Sequence, residues 1–338
     1  MRNAAREKVE AMLKGEAPMP ALLRAPLAAA SLLNRAGMAL RRASVPTHVD
    51  ARVISFGNIT MGGTGKTPAV IARAQAELAA GHRVAILTRG YGAPSPVQEP
   101  FVVNPGHAAP VSGSLWEYCG DEPALIAARV PGAAIVKARD RVAAARKAVE
   151  ELHCDVLILD DGYQYLRLHR DENILLIDAT CPFGNGRIAP AGYLREPLDA
   201  VSRATEIVLT RCDLARDLPA LEARLRALAP NVPVRRTWHA PVALVRLADG
   251  EALPLETLRG MEVRALSGIG NPAAFHALLD GFGAVRKETV TLRDHGTVMF
   301  QVRDDGTPTI MTEKDAIKLA RAPENAYAVR IDLMDWPG

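Results

Sequence analysis

Aromatic side chains make up only 4% of the 338 residues, and cysteine occurs four times. Cys119, Cys154, Cys181 and Cys212 are far apart and form no C-x-x-C pair. That excludes a zinc ribbon and a disulfide-framed secreted domain, and it predicts a reducing, cytoplasmic setting. No run reaches the ~20 apolar residues that a membrane-spanning helix needs. Glu7, Glu10 and Glu16 interrupt the N-terminal turns, so a signal peptide is not expected. The net charge of +3 is too small to predict a nucleic-acid partner. One absence is local: residues 17–49 contain no acid, yet they carry Arg24, Arg35, Arg41 and Arg42. The remaining composition is that of a soluble-type chain long enough for two domains.

What is present centres on GNITMGGTGKTP at 57–68. An apolar run at 53–56 precedes it and a helical stretch at 69–80 follows. Strand, glycine-rich turn, Lys-Thr and helix form the layout of a phosphate-binding loop. Glycines let consecutive N–H groups face one concavity, and the following helix adds free N–H groups and a positive dipole end. Gly62, Gly63, Thr64, Gly65, Lys66 and Thr67 are therefore the expected nucleotide-binding residues. Lys66 would reach the β- and γ-phosphates, and Thr67 would offer its hydroxyl to Mg²⁺. The spacing fits the variant GGxGK[ST], with Met61 where one subfamily of that variant carries lysine.

Apolar strands are expected at 83–88, 134–136, 155–159, 173–178 and 206–210, with helices at 124–130 and 141–152. Such alternation predicts an α/β fold, a mostly parallel sheet with helices on both faces. Ligands in such folds bind beyond the carboxyl ends of the strands. The pattern restarts after about residue 237, with strands at 263–266, 287–292, 309–311 and 326–331 and a helix at 272–279. The expected organisation is an N-terminal basic segment (1–50), a P-loop core (51–235) and a smaller C-terminal α/β domain (236–338). Residues 92–110, rich in Pro and Gly, are expected to be irregular. In the basic segment, Ala29, Leu33, Ala36 and Leu40 share one helical face, with Arg35 and Arg42 opposite. Two readings stand: a helix lying in a membrane interface, or one packed on the protein's own core with a solvated basic face.

Several polar groups could carry chemistry, and each has a plainer alternative. Asp160-Asp161-Gly162 follows a buried strand, where P-loop enzymes place the Mg²⁺-side carboxylate; the same residues also suit a turn. Asp121 and Glu122 open a helix, as general base and metal-side ligand or as a cap and first turn. His295 sits in a polar loop of the kind usually found at the surface. Arg195-Glu196 ends a long loop, as part of a substrate site or as the run-up to a helix at Pro197. Thr210-Arg211-Cys212-Asp213 is a weak match to the base-reading [NT]-K-x-D of GTPases, with Arg in place of the key Lys.

Taken in order, the stretches GNITMGGTGKTP (57–68), LTRGYG (87–92), GDEP (120–123), DDGYQ (160–164), RDENILLIDA (170–179), GNGRIAPAGYLREP (184–197), DHG (294–296) and MTEKDAIKL (311–319) resemble the tetraacyldisaccharide 4′-kinase family of lipid A biosynthesis. The resemblance covers most of residues 53–319. It implies an ATP- and Mg²⁺-dependent kinase that phosphorylates the 4′-hydroxyl of tetraacyldisaccharide 1-phosphate to give lipid IVA. It also implies an active site between a P-loop core and a smaller domain. The setting it implies is the cytoplasmic face of the Gram-negative inner membrane, reached through the N-terminal segment, with no obligate protein partner. By position, Asp121 would be the base, His295 its partner and Lys66 the phosphate lysine. Thr67, Glu122, Asp160 and Asp161 would surround Mg²⁺. Tyr91, Arg141, Gln164, Arg195 and Glu196 would line the acceptor and phosphate sites. Tyr163 and Tyr165 stand where the family commonly has Phe and His, and Gly296 where it often has a second His. Two rivals remain, a nucleotide switch or partition-type ATPase acting through a protein partner, and a membrane adaptor with a degenerate nucleotide site.

Overall fold

The computed structural model describes residues 2–42, 45–89, 99–106, 115–269, 272–292, 302–303, 305–319, 321 and 323–338. The chain opens with helices α1 (Arg2–Lys14) and α2 (Ala21–Arg42), then β1 (Arg52–Gly57), α3 (Lys66–Ala79), β2 (Val84–Thr88) and β3 (Phe101–Pro105). Next come α4 (Leu115–Cys119), α5 (Asp121–Arg129), β4 (Ala134–Lys137), α6 (Arg141–Glu150), β5 (Val156–Leu159), β6 (Glu172–Asp178) and β7 (Glu206–Thr210). The last stretch holds α7 (Leu218–Leu228), β8 (Val234–Arg246), β9 (Ala252–Leu253), β10 (Glu262–Ser267), α8 (Pro272–Gly281), β11 (Val285–Thr291), β12 (Thr309–Thr312), α9 (Glu313–Ala316) and β13 (Ala326–Asp335). The α/β alternation expected from the sequence is present.

Two compact units form. The first comprises residues 1–70, 141–238 and 334–338, the second 71–140 and 239–333. In the first, β1 lies between β5 and β6, β6 pairs β7, and β7 pairs the start of β8, all parallel. Burial of both sheet faces explains the apolar runs of β5 and β6, and that of β1, which only Ser55 breaks. Parallel pairing brings the carboxyl ends of β1, β5, β6 and β7 to one edge. Below that edge Ile59, Leu175, Phe183, Leu194, Val201 and Leu209 form a core. Tyr163 joins it fully buried, and its hydroxyl donates to Ala200 O at 2.6 Å. Gly57 ends β1 against the same tyrosine: a Cβ there would lie 2.6 Å from Tyr163 Cβ and 2.7 Å from its backbone N.

In the second unit β2 pairs β4 in parallel, and β3 runs antiparallel to β4. Residues 101–105, expected to be irregular, are thus a strand. Its single partner explains how it tolerates Pro105. Residues 92–98 and 107–110 of that stretch lie outside those described. Strands β11, β10, β12 and β13 pair in that order, all parallel, over a core of Leu258, Val263, Phe275, Leu279, Ile310 and Val329. The long β8 is absent from the sequence reading because Pro241 interrupts it. The cysteines are all free, and burial pushes the Cys119 thiol up to about 11.

Helix α2 starts at Ala21 and carries Pro26 inside it. Within the first unit, the face bearing Ser31 and Asn34 packs on residues 188–189. Ser31 Oγ donates to Ile188 O at 2.8 Å and Asn34 Nδ2 to Ala189 O at 3.0 Å. Ala29, Leu33 and Ala36 of the expected apolar stripe are exposed, as are Leu22 and Leu32, and the Leu40 side chain lies outside those described. Among the described residues no helix is long and apolar enough to cross a membrane.

Candidate active site

The loop between β1 and α3 lies at the shared carboxyl edge of the first unit. Its helix begins at Lys66, three residues earlier than the sequence suggested, so Lys66 and Thr67 occupy the first turn. Gly62 has φ +89, and a Cβ there would collide with the Tyr193 hydroxyl. The loop backbone is held from β7: Thr210 Oγ1 donates to Thr64 O at 3.1 Å, and Arg211 Nη1 donates to Gly63 O at 3.2 Å. Arg211 also pairs with Asp178, so within this unit it braces the loop.

Three of the expected site residues meet beside the loop. Asp161 follows β5 in a left-handed conformation (φ +54), which a short Asp side chain tolerates and which turns its carboxylate toward the loop. Lys66 Nζ lies 3.4 Å from Asp161 Oδ1. Arg195 Nη1 donates to both Asp161 oxygens, at 3.0 and 2.9 Å. Burial pushes this carboxyl up, but Lys66 and Arg195 together outweigh it and hold it below the ordinary carboxylate range. The cluster joins the ends of β1 and β5 to the 184–197 loop, which pairs back on the P-loop through Thr60 and Leu194.

A second layer supports it. Lys66 Nζ donates to Asn58 Oδ1 at 3.3 Å, and the fully buried Asn58 donates from Nδ2 to Thr60 O at 2.9 Å. Gln164 Nε2 donates to Asn58 O at 2.8 Å and to Glu196 Oε1 at 3.0 Å. Glu196 is 3% exposed and forms a two-point pair with Arg203, at 2.8 and 2.9 Å. The Arg203 guanidinium also stacks over the Tyr163 ring. The half-buried Gln164 therefore joins the buried Glu196 in one network, and Arg141 is buried beside the Tyr165 ring. Arg203→Met would leave the Glu196 charge buried without its cation. The expected loss is ~3 kcal/mol in a urea unfolding curve, whereas a loss near zero would show the pair to be dispensable.

Asp121 and Glu122 belong to the second unit, in the first turn of α5. The N-cap is Gly120, not Asp121, and no side chain caps it. Asp121 Oδ1 accepts from the Glu122 N–H at 3.0 Å, and its Oδ2 lies 3.5 Å from Lys314 Nζ. Helix α5 is fixed at its far end by Arg129, which pairs with Glu313 at 2.8 Å and with Asp332. Burial pushes the Glu313 carboxyl up despite Arg129 and Arg330 beside it. Tyr91 and His295 lie outside the described residues. Asn58, Arg203 and the lysines around Asp121 escape the sequence reading, because folding and not motif spacing sets their partners, and Arg211 figures there only as part of a weak base-reading match. Only GNIT and MTEKDAIKL, as stretches of the resemblance, signal two of them.

Among the described residues, no three His, Cys, Asp or Glu side chains gather to hold a metal ion. A Mg²⁺ that arrives with a nucleotide needs only one or two carboxylates besides phosphate oxygens and waters. The first unit offers the Thr67 hydroxyl and the buried Asp160. Asp161 already faces two cations. Thr64 Oγ1 is buried without a hydrogen-bond partner among the described residues, which fits a loop completed by a ligand. ATP with Mg²⁺ therefore fits the residues present.

The chain is similar to known proteins along nearly its whole length. Tetraacyldisaccharide 4′-kinase of Anaeromyxobacter sp. (strain Fw109-5) is 42% identical over 337 residues, 94% of this chain and 89% of that one. The Geobacter sulfurreducens protein of the same name is 41% identical over 287 residues, 83% of this chain and 78% of that one. The crystal structure of LpxK from Aquifex aeolicus in complex with ATP superposes with a TM-score of 0.79 at 32% identity, over 93% of this chain and 96% of that one. The family described as tetraacyldisaccharide-1-P 4′-kinase matches residues 23–335. With its P-loop cluster, its fold and these relatives in agreement, the chain belongs to the tetraacyldisaccharide-1-P 4′-kinase family, ATP-dependent kinases of lipid A biosynthesis.

Proposed function

We propose that the chain transfers the γ-phosphate of ATP to the 4′-hydroxyl of tetraacyldisaccharide 1-phosphate, with Asp121 as the base. The meeting of Lys66, Asp161 and Arg195 at the P-loop carries this reading. In the reaction the sugar oxygen forms a bond to the γ-phosphorus, the bond from that phosphorus to the β–γ bridging oxygen breaks, and the hydroxyl proton passes to Asp121. Phosphoryl transfer needs position and charge neutralisation more than covalent help. The loop amides and Lys66 supply fixed positive charge where the transferred group gains negative charge. Arg195 keeps Asp161 in place and adds a guanidinium to the same edge. Mg²⁺, when bound, neutralises the phosphates, with Thr67, Asp160, Asp161 and Glu122 as the residues that would hold it directly or through water. His295 would partner Asp121, and Tyr91, Arg141, Gln164 and Glu196 would shape the acceptor site. For Glu196 and Arg141, burial favours support of neighbouring groups over direct contact with lipid, and the half-buried Gln164 is held by Asn58 and Glu196. The functional division follows the segments 1–50, 51–235 and 236–338.

The deciding experiment is transfer of label from γ-labelled ATP to tetraacyldisaccharide 1-phosphate in mixed micelles. Labelled lipid is the expected product. ATP hydrolysis that ignores the lipid and responds to a protein would favour a nucleotide switch.

The same reading places the chain at the cytoplasmic face of the inner membrane, on α2. The support is the apolar stripe left exposed while Ser31 and Asn34 dock. Replacing Leu22, Leu32 and Leu33 together by Ser is expected to abolish sedimentation with anionic vesicles and to leave ATP affinity unchanged. Unaltered sedimentation would remove α2 from the membrane contact.

A further inference from the structure

The stretch MTEKDAIKL has no role in the reading above, yet it holds a deeply buried cation. Lys318 is 2% exposed, and Asp315 beside it is fully buried. A structural pair of this kind would close to hydrogen-bonding distance, because an ammonium taken out of water needs acceptors to offset its lost hydration. Here it does not close. Lys318 Nζ lies 3.6 Å from Asp315 Oδ1 and 3.9 Å from Asp121 Oδ2, and it has no hydrogen-bond partner among the described residues. It stands between two carboxylates.

Asp315 is held from the other side. Its Oδ2 accepts from the Gly268 N–H at 2.9 Å and from Thr312 Oγ1 at 2.7 Å. It is therefore a fixed anchor, and Lys318 can direct its remaining charge at Asp121. Lys314 lies four positions earlier, in α9. Its Nζ is 3.5 Å from Asp121 Oδ2 and 3.8 Å from Glu122 Oε1. The Asp121 carboxylate thus has the Glu122 amide on one oxygen and two ammonium groups beside the other.

We propose that Lys314 and Lys318 clamp the Asp121 carboxylate and act as positioning residues for phosphoryl transfer, with Asp315 as the anchor of the clamp. The proposal rests on the reading of Asp121 as base. A carboxylate at the start of a helix can rotate about its side-chain bonds toward solvent. Two cations converging on one oxygen remove that freedom and leave a single orientation from which to accept a proton. Misplacement of a reacting group by about 1 Å can cost ~10²-fold in rate.

The test compares kcat and both KM values across variants of the full chain, each checked by thermal melting. Lys318→Met alone leaves Asp315 uncompensated, so the informative variant is the double Asp315→Asn, Lys318→Met. It balances the charge, and the introduced carboxamide keeps an oxygen to accept from the Gly268 amide and the Thr312 hydroxyl. The expected result is a folded protein whose kcat falls ~10²-fold with KM for ATP and lipid unchanged. Lys314→Met, at a partly exposed site, is expected to lose ~10-fold in kcat alone. Wild-type kcat in both, while Asp121→Asn is inactive, overturns the clamp and leaves the base reading intact. A raised KM for ATP at constant kcat also overturns it, since the lysines would then bind ligand. If the double variant fails to fold, Lys314→Met decides by the same criterion. Near-normal turnover by Asp121→Asn overturns the base reading, and the clamp falls with it.

Discussion

Replacing Lys66 by methionine is expected to lower kcat by ~10²–10³-fold or more, the scale of losing one fixed positive donor at the transition state. The stem of the side chain is kept, so α3 and its packing should survive. The loss falls on charge alone. In the structure the ammonium is poised between Asp161 and Asn58, at 3.4 and 3.3 Å, both at the carboxyl edge of the first unit. It is therefore pre-organised beside the phosphate loop. Lys66→Arg should rescue little, because a planar guanidinium cannot replace a compact ammonium between these two partners. Steady-state transfer and calorimetric ATP binding check both variants. Turnover within about threefold of wild type in Lys66→Met, less than the loss of one such donor, would remove this residue from the chemistry.

Asp121→Asn should be nearly as damaging, with kcat down ~10²–10⁴-fold, the usual contribution of a positioned base. The substitution separates chemistry from helix capping. Gly120 is the N-cap, and the Asp121 oxygen that accepts from the Glu122 N–H has an equivalent in Asn. Melting temperature should therefore change little, and KM for ATP should hold. Unchanged kcat with a lowered melting temperature would make Asp121 a helix-start residue and nothing more.

The P-loop was legible because its chemistry is local: strand, glycines, Lys66 and Thr67 are contiguous, and the physics of the turn demands that order. Strands β1, β5, β6 and β7 were legible because burial on both faces leaves an apolar run. The start of α3 was not, since Pro68 masks a first turn that already begins at Lys66. Strand β8 was hidden by Pro241 and β3 by its Pro-rich setting. The partnership of Asp161 with Arg195 spans 34 residues, and no periodicity encodes it. Glu196 read as a substrate residue because motif position says nothing of burial; its pair with Arg203 appears only once the chain is folded. The lysines of MTEKDAIKL stood within a recognisable stretch, but their target lies almost two hundred positions earlier.

The glycines of the phosphate loop answer to different demands. At Gly57 the backbone of Tyr163 fills the space that any side chain would need, so the constraint acts whenever the protein folds. At Gly63 no described residue lies within 4 Å of the place a methyl would take, and the backbone angle is not among the positive ones, so folding alone permits substitution. A saturation library sorted only for soluble, folded protein should keep glycine at 57 and scatter freely at 63. The same library sorted for growth that depends on the kinase should restore glycine at both. Tolerance at Gly63 and intolerance at Gly57 thus record two separate histories of selection, one on the fold and one on the nucleotide it carries.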